Sequence, residues 1–284
     1  MLTDGFLKIY KESDWTSRDV CNKIQSIFHT KKVGHIGTLD PFATGLLIVS
    51  VNKATKAGQF LEAADKTYLA TLVLGESRDG GDITGEVIET KDIPILDETK
   101  IKEAFNAFIG DIDQVPPLKS AVHFEGRKLY QYAYNGEVVI PPSRKVFVNS
   151  IELVDFTSNT ITFRTNVSKG TYIRVLGEDI AKKLGTVGYL SSLHREKISS
   201  LDLTNAKKVS EVTENDLIPT SEILVNLHKI VGDDVIVDKA KRGLTIFFKD
   251  VKDDIVLIVD ASYNAIAVYE RKNGDLYKSL RGLF

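Results

Sequence analysis

The residue with the most suggestive setting is an aspartate. Asp40 ends the run Lys31-Lys32-Val33-Gly34-His35-Ile36-Gly37-Thr38-Leu39-Asp40 and stands directly before Pro41. Proline disfavours the α region for the residue before it, so an extended Asp40 is expected. A carboxylate fixed between a helix and a buried strand can serve as nucleophile or general base. Gly34 and Gly37 let backbone approach a ligand closely, while Lys31 and Lys32 supply charge that seeks phosphates. The same Asp-Pro pair also makes an ordinary turn in which the aspartate bonds local backbone. Spacing alone leaves both readings open.

Other chemistries find less support. There is no GxxxxGK[ST] run, no HExxH and no pair of cysteines, and the five histidines are scattered at 29, 35, 123, 194 and 228. Phosphate-loop nucleotide hydrolysis and a structural zinc are therefore not expected, and neither a metal nor a cofactor is assigned. A His/carboxylate site assembled from distant residues would leave no such spacing.

The elements that must position Asp40 follow from periodicity. Gly5 to Tyr10 reads as a first strand. Thr16, three residues before Asp19, marks a capping-box helix start, and Val20, Ile24, Ile27 and Phe28 recur on one helical face. Residues 30–43 read as a loop and 45–51 as a buried strand. Tyr68, Ala70, Leu72 and Leu74 alternate as one face of a strand, followed by turn residues from Arg78 to Gly85. Ile101, Ala104, Phe105 and Phe108 mark a helix that Gly110 ends. Paired strands are expected at 146–156 and 160–167, then a helix from Gly170-Thr171 to Leu184. After about residue 229 the pattern changes to short β-type runs at 235–237, 245–248, 255–260 and 265–269. This irregular interleaving predicts an α+β chain, with a large domain over 1–229 and a small β-rich domain over 230–284.

Composition sets the remaining bounds. Hydrophobic residues make up 43% and charged residues 27%, as in an ordinary globular protein. Cys21 is the single cysteine, so no intrachain disulfide can form. No apolar run approaches the roughly 20 residues of a membrane span. Met1-Leu2-Thr3-Asp4-Gly5 lacks the basic and apolar parts of a signal peptide, which makes the cytoplasm the expected compartment. The net charge of −2 comes from 37 basic and 39 acidic residues, so attraction to nucleic acid would have to be local. Lys119, His123, Arg127 and Lys128 gather in one stretch against the single acid Glu125, with Tyr130 and Tyr132 close behind. A solvated face has the same appearance. Acids gather at Asp233-Asp234 and from Asp250 to Asp254.

The segment Gly34-His35-Ile36-Gly37-Thr38-Leu39-Asp40-Pro41-Phe42-Ala43-Thr44-Gly45-Leu46-Leu47 resembles the signature of TruB-type tRNA pseudouridine synthases. Lys66-Thr67-Tyr68, Gln114-Val115-Pro116-Pro117 and Ser168-Lys169-Gly170-Thr171-Tyr172-Ile173-Arg174 match further motifs in the family's order. The likeness runs from about Gly5 to about Leu201. It implies a mixed, largely antiparallel-sheet pseudouridine synthase catalytic domain carrying an RNA-clamping insertion at about 115–142. A small β-rich C-terminal domain then stands where a PUA-like module would be. The implied reaction is isomerisation of uridine to pseudouridine in the T arm of tRNA, position 55, without cofactor, membrane or obligate protein partner.

The resemblance also distributes roles. Asp40 matches the aspartate that attacks the target uridine, at base or ribose. Tyr68 matches a tyrosine stacked on the uracil, Arg174 an arginine paired with that aspartate, and Leu193 an apolar residue beneath the base. His35 matches a histidine that fills the gap left by a flipped nucleotide. Lys31, Lys32, Lys119, Arg127 and Lys128 are the implied RNA contacts. Each has a plainer alternative: core packing for Tyr68 and Leu193, a solvated helix face with Glu178 for Arg174, a surface loop for the rest. Two rival functions remain at this point. One is a non-catalytic RNA-binding chaperone that folds tRNA; the other is a glycoside hydrolase, which needs a second acid facing Asp40.

Three places depart from the family pattern. Its Lys-Pro-x-Gly-x-Thr-Ser is here Lys11-Glu12-Ser13-Asp14-Trp15-Thr16-Ser17, so the loop lacks both proline and glycine. Its Tyr-Ser-Ala is Lys119-Ser120-Ala121. The C-terminal segment is short and acidic for a PUA-like module.

Overall fold

The computed structural model describes residues 3–284, so Met1 and Leu2 of the N-terminal stretch lie outside the described residues. Along the chain run β1 (Gly5–Lys11), α1 (Ser17–Ile27), β2 (Val33–Ile36), β3 (Thr44–Val51), α2 (Gly58–Glu62), β4 (Lys66–Leu74), β5 (Glu76–Arg78) and β6 (Val87–Thr90). Next come α3 (Glu98–Asn106), β7 (Gly110–Gln114), β8 (His123–Phe124), β9 (Arg127–Lys128), α4 (Leu129–Tyr134), β10 (Arg144–Phe156), β11 (Thr160–Val167), α5 (Ile173–Lys183) and β12 (Gly188–Ile198). The last third holds β13 (Lys207–Lys208), α6 (Thr220–Ile223), β14 (His228–Val231), α7 (Asp234–Lys241), β15 (Ile246–Phe247), β16 (Ile255–Val259), β17 (Ala265–Asn273) and β18 (Leu276–Gly282). This is the mixed, largely antiparallel α+β architecture that the sequence predicts.

Two compact units divide the chain. The first comprises the residues up to Pro41, 45–64 and 197–284. In it β1 lies between β3, antiparallel, and the short β13, parallel, while β2 pairs antiparallel with β3. Helix α1 starts as its sequence demands. The Thr16 hydroxyl accepts the Asp19 amide at 3.0 Å and the Asp19 carboxylate accepts the Thr16 amide at 3.0 Å. A second sheet in this unit has the order β14-β16-β17-β18-β15. Its Leu257, Val259 and Val268 share one buried cluster with Phe6, Leu46 and Ile48. Sequence positions about 200 residues apart thus close a single core, held by apolar burial.

The second unit comprises 42–44 and 65–196, with strands in the order β12-β4-β11-β10-β7. Neighbours from β4 to β7 are antiparallel. Along β4 every second residue is buried, the period-2 pattern of a strand with one covered face. Helices α3 and α5 pack on this sheet; Phe105 of α3 meets Phe163 of β11 with ring centroids 5.8 Å apart. Gly177 lets α5 come close, because a Cβ there would lie 2.9 Å from the Leu190 side chain of β12.

Two expectations are corrected. Residues 33–36 are not loop but strand β2, its hydrogen bonds supplied by β3. Residues 235–237 form no strand either; they belong to α7. Three β-branched residues in a row suggest β structure, but Asp233 caps a helix by accepting the Ile236 amide at 2.8 Å. Ile236 and Val237 then pack against the cluster around Tyr269 and Tyr277, and tertiary packing overrides propensity.

Candidate active site

In the first unit Asp40 is half-buried, four residues beyond the end of β2. Gly37 makes the intervening turn at φ 68, a conformation that costs glycine little. Both chain neighbours of Asp40 are tied down. Ser17, at the start of α1, accepts the Leu39 amide on its Oγ at 2.9 Å and donates its hydroxyl to the Leu39 carbonyl at 3.2 Å. On the other side the Pro41 carbonyl accepts the Asp14 amide at 2.9 Å and the Lys11 ammonium at 3.1 Å.

Lys11 is 1% exposed and ends β1. Its Nζ also donates to the carbonyls of Glu12 at 3.0 Å and Trp15 at 2.6 Å. A buried ammonium satisfied in this way fixes three stretches of backbone at once. The loop from Lys11 to Ser17 has no glycine at the position where the family pattern carries one. Asp14 itself takes the left-handed conformation, φ 67, which short polar side chains tolerate better than most.

His35 sits on β2, half-buried, with Nδ1 3.5 Å from Cys21 Sγ and Nε2 3.1 Å from Thr38 Oγ1. Lys31 and Lys32 are exposed just before β2.

In the second unit Tyr68 is 8% exposed on the covered face of β4, opposite Thr165 of β11. Arg174 is the second residue of α5 and is 3% exposed. Its guanidinium donates to the Gly80 carbonyl at 2.6 Å and the Lys119 carbonyl at 3.2 Å, and lies 3.4 Å from Asp82 Oδ2. The other Asp82 oxygen accepts the Thr84 amide at 3.0 Å and the Thr84 hydroxyl at 2.5 Å. Arg174 is therefore an oriented, buried guanidinium, and the solvated-helix-face alternative fails. One turn along α5, burial pushes the Glu178 carboxyl above the usual range. Gln114 steadies the start of α5: its amide donates to the Tyr172 carbonyl at 3.0 Å and accepts the Tyr172 amide at 2.7 Å.

Leu193 is 5% exposed on β12. Next to it, His194 Nδ1 is 2.8 Å from Thr44 Oγ1, and burial pushes this imidazole's pKa down.

The basic stretch from Lys119 to Lys128 is less free than its local sequence suggests. Lys119 Nζ is 2.8 Å from Asp79. Arg127 forks onto Glu137 at 2.9 and 2.7 Å and lies 4.0 Å over the Tyr132 ring. Lys128 lies 5.8 Å over the Tyr130 ring. Two acids from outside the stretch, Asp79 and Glu137, thus join the single local Glu125. Among the described residues no three His, Cys, Asp or Glu side chains gather as a metal site, and no helix is long and apolar enough to cross a membrane.

A family model described as TruB family pseudouridylate synthase (N terminal domain) matches residues 25–173, more than half the chain. The chain belongs to the TruB family. It is 36% identical over 270 residues to the tRNA pseudouridine synthase B of Hydrogenovibrio crunogenus, covering 94% of this chain and 89% of that one. With the tRNA pseudouridine synthase B of Onion yellows phytoplasma it shares 36% identity, covering 96% and 98%. Among solved structures it is similar to a chain of a Cbf5-Nop10-Gar1 complex, with TM-score 0.73, 25% identity and coverage of 99% and 85%. An archaeal box H/ACA sRNP Nop10-Cbf5 complex, at TM-score 0.72 and 22% identity, shows the same fold.

As a TruB-family pseudouridylate synthase the chain is an isomerase, and the glycoside hydrolase reading is set aside. Two residues that shape these surroundings left little trace in the sequence. Lys11 continues the alternating face of Leu7 and Ile9, so its burial was signalled, though a lysine gives no hint of three carbonyl partners. Asp82 looked like one more turn residue after Gly80-Gly81. Its pairing with Arg174, 92 positions on, leaves no local trace.

Proposed function

We propose that this TruB-family chain converts uridine to pseudouridine at position 55, in the T arm of tRNA, in the cytoplasm. Asp40 is the nucleophile, acting on a flipped-out uridine. The observation that carries this reading is the two-sided backbone clamp on Asp40, made by Ser17, Asp14 and Lys11 within the family signature. A nucleophile whose main chain is fixed on both sides meets its substrate in a set geometry. The relatives named tRNA pseudouridine synthase B support tRNA as the RNA.

The reaction breaks the bond from N1 of uracil to C1′ of ribose and forms one from C5 to C1′. Asp40 bonds covalently to the base or the ribose and leaves again, C5 loses a proton and N1 gains one. The change is redox-neutral, so we assign no cofactor. Tyr68 offers its ring to the uracil, Leu193 packs beneath the base, and Arg174 contributes its oriented guanidinium to the substrate site. His35 fills the gap in the RNA, while Lys31, Lys32, Lys119 and Lys128 take phosphates. Functionally we assign catalysis to residues 1–229 and auxiliary RNA contact to 230–284.

The test is incubation with an unmodified tRNA transcript followed by pseudouridine mapping. Pseudouridine at position 55 alone is the expected result. Modification elsewhere overturns the position, and RNA binding without modification overturns catalysis in favour of a chaperone.

A further inference from the structure

Cys21 is the single cysteine of the chain, fully buried on α1 between Val20 and Ile24. It lies outside the family motifs, and its Sγ stands 3.5 Å from Nδ1 of His35. The opposite ring nitrogen, Nε2, stands 3.1 Å from the hydroxyl of exposed Thr38. His35 is thus gripped at both nitrogens, once from the core and once from the solvent side.

We propose that Cys21 and Thr38 are positioning residues that hold His35 as a neutral ring protonated on Nε2. This rests on the function proposed above, in which His35 enters the RNA. Burial pushes the Cys21 thiol up to about 11, so it keeps its proton at neutral pH. A ring nitrogen lone pair is a far better acceptor than a thiol sulfur, so the contact runs from S–H to Nδ1. Nε2–H then donates to Thr38 Oγ1, and the Thr38 proton is left for water or an RNA oxygen. A ring fixed in orientation and tautomer presents one shape to the gap in the RNA. Ordering it before binding removes a cost that binding would otherwise carry.

The experiment uses the full chain with ¹⁵N-labelled histidine and compares wild type, Cys21→Val, Cys21→Ser and Thr38→Val. Long-range ¹H–¹⁵N spectra read the His35 tautomer, and steady-state kinetics on a tRNA transcript read KM and kcat. Wild type and Cys21→Ser should show a ring protonated on Nε2, because a hydroxyl can replace the thiol as donor. Cys21→Val and Thr38→Val should give mixed tautomers and a KM raised roughly two- to tenfold, the worth of one hydrogen bond. Their kcat should stay close to wild type, because a gap-filling ring steadies the bound complex and its transition state alike. Thr38 is exposed, so its variant tests the idea even where Cys21→Val disturbs the core. A wild-type ring protonated on Nδ1 overturns the proposal, as do valine variants with unchanged spectra and KM. Should the wild type make no pseudouridine, the proposed function falls, while the spectra still judge the Cys21–His35–Thr38 arrangement.

Discussion

The Asp40 loop and the segment from Lys119 to Glu137 both carry residues proposed above to meet RNA, yet they are held in opposite ways. Around Asp40 the grip is on the main chain and comes from buried groups, Lys11 and Ser17. In the second segment it is side chain to side chain and exposed, as in the Arg127–Glu137 fork. Buried charge-assisted hydrogen bonds are worth more than exposed ion pairs, which salt screens and side-chain entropy opposes. One region holds its geometry firmly, and the other has exposed pairs that can exchange partners.

The largest effect tests what the rigid region is for. Asp40→Asn keeps the clamp, which involves only its neighbours' backbone and Lys11, Asp14 and Ser17. Folding and RNA affinity should persist while turnover falls on the order of 10⁶-fold, the scale seen when a nucleophile is removed elsewhere. A single-turnover assay on a tRNA transcript decides, and residual activity within roughly tenfold of wild type would sink the nucleophile assignment.

Arg174→Lys comes next. Arg174 spans the Gly80 and Lys119 carbonyls and Asp82 with one planar fork. An ammonium on a flexible stem cannot reach all three, so its charge shifts by an ångström or more. A misplacement of that size costs about 10²-fold in kcat. Near-normal kinetics would reduce Arg174 to a structural residue.

Lys11→Met tests the clamp itself. It leaves the Glu12, Trp15 and Pro41 carbonyls without their shared donor. The loss should amount to about 2–3 kcal/mol in denaturant unfolding, with kcat lowered as the Asp40 loop loosens. Wild-type stability together with wild-type kcat would show that the backbone grip does not matter.

How much of this was legible in the sequence follows the same division. Local signals were clear: the Thr16–Asp19 cap, the alternation of β4 and the Asp40 signature all lie within a few residues of one another. Pairings between distant residues were not. Nothing near Arg174 announces Asp82, and nothing near Arg127 announces Glu137. The sheet of residues 228–282 read as an appendix because its pattern changes near 229. Its packing partners, Phe6, Leu46 and Ile48, lie at the other end of the chain. In the Lys11–Ser17 loop no glycine marks the left-handed position, which Asp14 takes.

The smallest effect concerns the exposed segment and separates its two basic residues. Hydrogen bonds from Arg127 hold the Glu137 carboxyl down at about 2, so the pair stays ionised through the working pH range. Arg127 already spends both fork nitrogens on Glu137, whereas Lys128 lies over the Tyr130 ring and has no carboxylate partner among the described residues. Lys128 should therefore be the residue that contacts phosphate in the resting arrangement. Lys128→Ala should lower the magnitude of the log K against log [salt] slope for tRNA by roughly 0.7–0.9, the loss of one contact. Arg127→Ala should change it less. Glu137→Gln should release the guanidinium and steepen the slope by a similar amount, with tighter binding at low salt. Turnover at saturating RNA should be unaffected in all three, since none of these side chains belongs to the Asp40 clamp or the Arg174 fork. Equal flattening by Lys128→Ala and Arg127→Ala, with no response to Glu137→Gln, would mean that RNA opens the fork freely. The exposed pair would then contribute nothing to the choice between the two bases.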